Sequence, residues 1–396
     1  MFRGHASFVD PHSLAVRDPV SGSVVSTVHA KQFILATGSK PREHPTVKVD
    51  GEYILTSDHI ASLRRFPDSM VILGAGVIGC EYATIFSKFK QTKVYLIDKA
   101  ERILPFEDID ISARAAMSLK RRDVVLHSGC TLDSMVVRDG MVEYVVVDSQ
   151  SKAKKTMRVD RALLSIGRVP NVDGLELQRA GVELTPKGLI AVHDVVGTSQ
   201  PHIAAVGDVT ADLSLVNVGE IEARYAVHRF FSQSKRQPSF VDQAGKFVYE
   251  NVSSIMFLDP EIAAVGLNET MAQRAGIAYR AAVYDFAMVS RAIAMRNTQG
   301  CIKLLVTNDS EMRILGIRAA GPHASSLIEV VSLMVRSRRS IADLSELLTA
   351  YPSVTEGLQE CVRLLLGSSI MKPLAFPRHL RVYEWKEGMP KTTIAD

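Results

Sequence analysis

Cysteine, tryptophan, long apolar runs and an excess of charge are all scarce in this chain of 396 residues. Its four cysteines, Cys80, Cys130, Cys301 and Cys361, are scattered, with no Cys-x-x-Cys or closer pair. That leaves a zinc cluster or a local redox disulfide without support, and each cysteine reads as a small buried apolar residue. No apolar stretch approaches the ~18 residues needed to span a bilayer. The first residues, Met-Phe-Arg-Gly-His-Ala-Ser-Phe, lack the apolar core of a signal peptide. A soluble, cytoplasmic protein with no membrane span is the default expectation. The net charge is only +4 and the basic residues are not clustered, so there is no electrostatic footprint for nucleic acid. His59, His193, His228 and His323 show no spacing that would hold a metal.

What is present is a phosphate-binding fingerprint. Val71 to Glu81 reads Val-Ile-Leu-Gly-Ala-Gly-Val-Ile-Gly-Cys-Glu, in which Gly74, Gly76 and Gly79 fit G-x-G-x-x-G. Alone the pattern is weak, but its context matches the mechanism. An apolar strand (Val71 to Leu73) precedes it and an amphipathic helix (Val77 to Phe89) follows. A second strand, Val94 to Ile97, ends on Asp98 at the expected spacing of about 20 residues. Gly74 permits the tight turn, Gly76 lets a pyrophosphate approach the backbone, and Gly79 lets the helix pack on the strand. The helix start at Val77 and Ile78 offers N–H groups and a positive dipole end to the phosphates. Asp98 accepts hydrogen bonds from a ribose and repels a 2′-phosphate, so NAD(H) is preferred over NADP(H), with Lys99 softening the preference.

At this length two to three domains are expected. Short strands are predicted at Ala6 to Val9, Ser13 to Val16, Val24 to His29 and Gln32 to Leu35, the last running into Ala36-Thr37-Gly38-Ser39. A hairpin is predicted over Met135 to Val147 around Asp139-Gly140. Ala162 to Ile166 is a strand leading to Gly167-Arg168-Val169-Pro170-Asn171. A buried strand from His202 ends in Val206-Gly207-Asp208, with a helix at Glu220 to Phe231. The polar stretch Ser232 to Gly245 reads as a boundary. An antiparallel pair, Cys301 to Val306 with Arg313 to Arg318, then precedes helices at Ala324 to Arg336, Ile341 to Leu348 and Ser353 to Leu366. The tail, 371–396, holds the only tryptophan, Trp385, and suggests no role.

These motifs, in this order, resemble the flavin-dependent pyridine nucleotide-disulfide oxidoreductases, the family of dihydrolipoamide dehydrogenase, mercuric reductase and soluble transhydrogenase. The resemblance runs from about Gly4 to Leu366. It implies an α/β fold with a Rossmann-type NAD domain (53–170) inserted in an FAD-binding domain (1–52 and 171–245). A C-terminal α+β dimerisation domain (246–370) and the tail follow. It also implies a homodimer, and hydride transfer between NAD(H) and FAD on the way to a small-molecule electron acceptor. Thr37 and Gly38, with Gly207 and Asp208, match flavin-domain motifs, Asp208 as the ligand of the ribityl chain, and Gly167-Arg168-Val169-Pro170-Asn171 resembles the family's turn after the NAD domain. A lone Gly-Asp is otherwise an ordinary turn. Glu81 is placed near the nicotinamide and flavin rings, and Tyr351 and Glu356 fall in the family's His-Pro-x-x-x-Glu position.

Two departures qualify the expectation. The family opens with its own G-x-G-x-x-G unit and a C-x-x-x-x-C pair, and this chain has neither, so it reads as N-terminally truncated with impaired FAD binding. Tyr351 stands where the thiol-disulfide members carry histidine. With an unperturbed pKa near 10 it is a poorer proton shuttle at neutral pH. Ser353-x-x-Glu356 before an apolar run also reads as a capping box, which would give Glu356 a structural task. The expected function is therefore an FAD-dependent NAD(P)H oxidoreductase of the dihydrolipoamide dehydrogenase-like type. A transhydrogenase or a metal or quinone reductase stands as the alternative. A non-catalytic nucleotide-binding, dimerising remnant is the reading from another class.

Overall fold

The computed structural model describes residues 1–210, 213–232 and 249–394. The chain divides into two units, Met1–Arg42 with Gly167–Tyr249, and Glu43–Ile166 with Glu250–Asp396. Each is discontinuous in sequence, as expected when one module is inserted in another. Most of the predicted boundary Ser232 to Gly245 lies outside the described residues.

The first unit starts with an antiparallel meander, His5–Asp10, Ser13–Arg17 and Val24–His29. Strand Phe33–Leu35 then pairs in parallel with Ile203–Ala205, Phe33 opposite Ile203. Both faces of this pair are covered. Phe8, Phe33, Leu35, Ile203, Ala205 and Val209 fill one core, and Val195, Val196, Ala204, Val206 and Ala226 fill another. The helix Val216–Phe231 supplies Ala226 to the second and begins four residues earlier than the sequence suggests.

The second unit contains a five-stranded parallel sheet in the order Ile54–Thr56, Arg161–Leu164, Ser69–Leu73, Lys93–Asp98, Val125–Ser128. Its central strands are apolar on both sides because helices Val77–Lys88 and Ile109–Arg121 and a three-stranded antiparallel sheet cover it. In that smaller sheet Val142, Tyr144 and Val146 are buried at every second position of Met141–Asp148. Asp139 and Gly140, both at positive φ (50° and 71°), form the turn that feeds it.

The same unit holds a seven-stranded antiparallel sheet. Its order is Ser254–Met256, Ile262–Gly266, Ile314–Ala320, Cys301–Thr307, Tyr279–Asp285, Leu380–Trp385, Thr392–Thr393. The predicted pairing of Cys301 to Val306 with the strand after Arg313 is present. Helices Ile328–Arg336 and Glu356–Leu365 share one core with this sheet. A second core joins Met70, Ile72 and Leu96 of the parallel sheet to Met256, Val283 and Cys301 of this one. The tail supplies the last two strands: Leu380 and Val382 are buried, and Trp385 stacks on Tyr279 at 5.7 Å.

The capping-box expectation fails. The last helix starts at Glu356 itself, its N-cap is Thr355, and no side chain caps it. Ser353 instead donates its hydroxyl to Ala350 O at 2.6 Å. Glu356 is thus freed from capping and turns to a partner far away in sequence.

Candidate functional site

The fingerprint turn lies at the C-terminal end of strand Ser69–Leu73. Gly74 has φ +102°, and a Cβ there would lie 2.4 Å from Ser165 O. A Cβ on Gly79 would lie 1.8 Å from Gly74 O, so strand, turn and helix touch backbone to backbone. At Gly76 a Cβ would meet nothing within 4 Å, which leaves space where a pyrophosphate approaches. Gly76 is the N-cap, and the first-turn N–H groups at Val77, Ile78 and Gly79 have no acceptors within the helix. Ser165, unremarked in the sequence, ties the turn by donating to Leu73 O and Gly74 O, both at 2.9 Å.

Asp98 ends the adjacent strand as expected. Its carboxylate accepts from Ala75 N (2.6 Å) and Ala100 N (2.8 Å). Both oxygens are therefore held rigidly beside the crevice, with lone pairs left for ribose hydroxyls. Glu81, on the first turns of the helix, is buried and accepts from Phe257 N at 3.3 Å. Burial pushes its carboxyl up to about 7, against the opposing pull of that N–H. Cys80 beside it is inert, its thiol pushed up to about 12 by burial and then by Asp98 and Glu81. Burial likewise raises the other three cysteines, and all four are free thiols inside the protein.

In the first unit the two predicted flavin-motif segments converge with the predicted 167–171 turn. Asn171 N donates to Gly38 O at 2.9 Å, and its side chain to Thr37 O at 3.4 Å. Arg168 donates to the Ser39 hydroxyl (2.7 Å), which donates to Asp208 Oδ2 (2.7 Å). Gly167 enters this knot at φ +108°, its carbonyl accepting from Arg42 N. Gly207 N donates to the buried Glu222 at 2.7 Å, and Tyr249 donates to the same carboxylate. Arg168 lay within the motif at 167–171, whereas Ser39 and Glu222 had no sequence signal of their own.

A polar cofactor fits the carboxyl ends of the two parallel strands here. Thr37 Oγ1 is buried without a hydrogen-bond partner, a Cβ on Gly38 would meet nothing within 4 Å, and Asp208 lies in the same knot. These residues suit the ribityl end of a flavin. Among the described residues the unit has no second glycine-rich cradle for a pyrophosphate.

Near the C-terminus, Tyr351 is 74% exposed and its hydroxyl donates to Ser290 Oγ at 3.2 Å. Ser290 donates from its hydroxyl and its backbone N–H to the two oxygens of Glu356, at 3.2 and 3.3 Å. Ser290 is the partner that sequence reasoning missed. Elsewhere in the unit, Asp108, Asp110 and Glu269 lie close enough to share a cation. Lys303, fully buried, already fills that place, with Glu269 at 2.5 Å and Asp108 at 3.0 Å. No helix among the described residues is long and apolar enough to cross a membrane.

A G-x-G-x-x-G crevice in one unit and a polar knot at the carboxyl ends of two parallel strands in the other fit an oxidoreductase that uses a pyridine nucleotide and a flavin. The chain belongs to the pyridine nucleotide-disulphide oxidoreductase family: the family's main model matches residues 3–244 and its dimerisation domain residues 252–362. Dihydrolipoyl dehydrogenase of Geobacillus stearothermophilus is 32% identical over 93% of this chain and 74% of its own length. Dihydrolipoyl dehydrogenase 3 of Haloarcula marismortui is 30% identical over 92% of this chain and 74% of its own. Among solved structures, LpdA of Mycobacterium tuberculosis superposes with a TM-score of 0.80 at 27% identity, covering 92% of this chain and 76% of that one. RclA of Escherichia coli, an HOCl-induced flavoprotein disulfide reductase, gives 0.80 at 25% identity over 92% and 79%. The chain is thus an FAD-dependent NAD(P)H oxidoreductase of the lipoamide dehydrogenase type. Its dimerisation domain supports a homodimer.

Proposed function

We propose that the nucleotide is NADH rather than NADPH, that this chain holds FAD weakly, and that the electron acceptor is a small molecule other than a dithiol. The observation that carries the proposal is the fingerprint turn, open at Gly76 and with the carboxylate of Asp98 anchored on Ala75 N beside it. The pyrophosphate lies over Gly76 to Gly79, held by the N–H groups at the helix start. The adenosine ribose donates to Asp98, and a 2′-phosphate there meets like charge.

A bound flavin supplies the two-electron step between nicotinamide and acceptor. Thr37, Gly38 and Asp208 would hold its ribityl end. Weak retention is supported by the lack of a second phosphate cradle among the described residues. A non-dithiol acceptor is supported by Tyr351 in the histidine position and by the burial of every cysteine. Glu81 can hold a proton on its carboxyl near neutral pH, on the nucleotide helix itself.

Titrating the purified chain with each nucleotide by fluorescence tests the first claim. NADH should bind roughly tenfold more tightly than NADPH, about 1.4 kcal/mol, and Asp98→Ala should erase the difference. Equal affinities in the wild type overturn the assignment. Flavin absorbance of the same sample tests the second claim. A colourless protein that binds NADH favours the nucleotide-binding remnant, and near-stoichiometric flavin refutes weak retention. Lipoamide-dependent turnover above background after flavin loading refutes a non-dithiol acceptor.

A further inference from the structure

Tyr351, Ser290 and Glu356 form a hydrogen-bonded line whose direction is fixed by chemistry. An ionised carboxylate only accepts, and a hydroxyl has one hydrogen to give. Ser290 gives its hydrogen to Glu356 Oε1, so it can only accept from Tyr351, and the Tyr351 hydrogen points inward. The lone pairs of the phenol oxygen are left facing outward on a side chain that is 74% exposed.

We propose that Ser290 is a positioning residue that links Tyr351 to Glu356 in a directed relay, making Tyr351 the proton-accepting end of the site for a carrier that bears an O–H when reduced. The inference rests on the family reading of Tyr351 and Glu356, and Ser290 lies outside that motif. When a reduced carrier gives up its proton, its X–H bond breaks and the electron pair stays on X. The proton bonds to Tyr351 Oη as the phenol proton passes to Ser290 Oγ and the serine proton to Glu356 Oε1. In the opposite direction a protonated Glu356 supplies the proton that a newly reduced carrier takes up. Charge is exchanged between carrier and Glu356, and no phenolate forms. The ordinary pKa of tyrosine, near 10, is then no obstacle at neutral pH.

The architecture holds the relay in register. Ser290 opens the short helix Ser290–Ala294, and Glu356 opens Glu356–Leu365. The next residue, Gly357, lies flat against Val289, the residue before Ser290. A Cβ there would come 3.1 Å from Val289 Cγ2 and 2.7 Å from Ile302 Cδ1. The two helix starts are thereby locked side by side. Hydrogen bonds of 3.2 Å are long for O–H donors, as is common before substrate tightens a site. Tyr284 feels the charge of Glu356, together with Glu360, Cys361 and Arg363 on the same helix. Tyr284 donates to Met288 O at 3.3 Å and so does not compete for Glu356.

The test uses the full chain labelled with 13Cζ-tyrosine, the Tyr351 resonance being assigned with Tyr351→Phe, and needs neither flavin nor nucleotide. The 13Cζ shift of the neutral Tyr351 phenol, which reports the hydrogen bond its hydroxyl donates, is compared at neutral pH in wild type, Ser290→Ala, Ser290→Thr, Glu356→Gln and the Ser290→Ala/Glu356→Gln double variant. Loss of the inward hydrogen bond or of the carboxylate that polarises it should move the resonance in the same direction in either single loss variant. Ser290→Thr should keep the wild-type value. The double variant should show no further change, since one chain is cut in two places. An unchanged Tyr351 in Glu356→Gln, or additive effects, overturns the relay. The nucleotide titrations do not involve these residues, so failure of the relay and failure of the NADH assignment are separately visible.

Discussion

Glu81 shows what burial does to one carboxyl. Its ordinary value of 4.5 is raised to about 7, so the folded protein binds this proton more tightly than the unfolded chain does. Stability from this group is fully present below about pH 4.5 and drains away as pH rises through about 7. Glu81→Gln keeps an acceptor oxygen for Phe257 N–H but cannot ionise. The variant should melt above wild type at pH 8, by on the order of 2 kcal/mol, and gain nothing at pH 4.5. Equal shifts in thermal melts at both values would show that desolvation of the charge is not the cause. The glycines and Asp98 were legible in the sequence because their task is local: a turn, a close approach, a strand end. Ser290 was not, because its partners Tyr351 and Glu356 are 61 and 66 residues away.

At the scale of elements, the loop after Asp98 is wired to the antiparallel sheet. Leu104 N–H donates to Ala75 O in the fingerprint turn. Glu107 pairs with the buried Arg318 at 2.9 Å, and Asp108 with Lys303 at 3.0 Å. Burial, the largest single influence, would raise Glu269, but Lys303, Lys391 and Tyr383 together hold the carboxyl down at about 2. Burial raises Asp108 despite the same ammonium. Replacing Lys303 by Met should cost about 3–5 kcal/mol in denaturant unfolding, because carboxylates remain buried without their cation. Adding Asp108→Asn and Glu269→Gln should recover a large part of that loss. If Lys303→Met alone is neutral, the cluster is better hydrated than its burial implies. A lysine within Cys-Ile-Lys-Leu-Leu-Val reads from sequence as the solvent-facing member of a strand. Only the carboxylates brought from 108, 110 and 269 explain why it is fully buried.

At the scale of the molecule, the order of motifs announced the family and the insertion of one module in another. The role of the tail was invisible, since Leu380–Trp385 is a short strand whose partner, Tyr279–Asp285, was itself not anticipated. The tail lies beyond both matched family regions, 3–244 and 252–362. It nevertheless contributes buried Leu380 and Val382, the Trp385 stack, and contacts from Arg381 to Asp110 and from Lys391 and Tyr383 to Glu269. Ending the chain after Met371 should lower stability by roughly 3–6 kcal/mol from lost apolar burial. It should also induce aggregation through the uncovered strand edge. Thermal melts and light scattering check both, and an unaltered protein would make the tail dispensable.

The tail also bears on the order of events during synthesis. Domains tend to fold from the N-terminus as the ribosome delivers them, at about 5–20 residues per second. The unit formed by Glu43–Ile166 and Glu250–Asp396 cannot follow that order. Its nucleotide crevice is translated early, yet Asp110 and Glu269 pair with Arg381 and Lys391, far later in the sequence. The carboxylate cluster on the element that follows the crevice therefore stays incomplete while the 271 positions from Asp110 to Arg381 are being made.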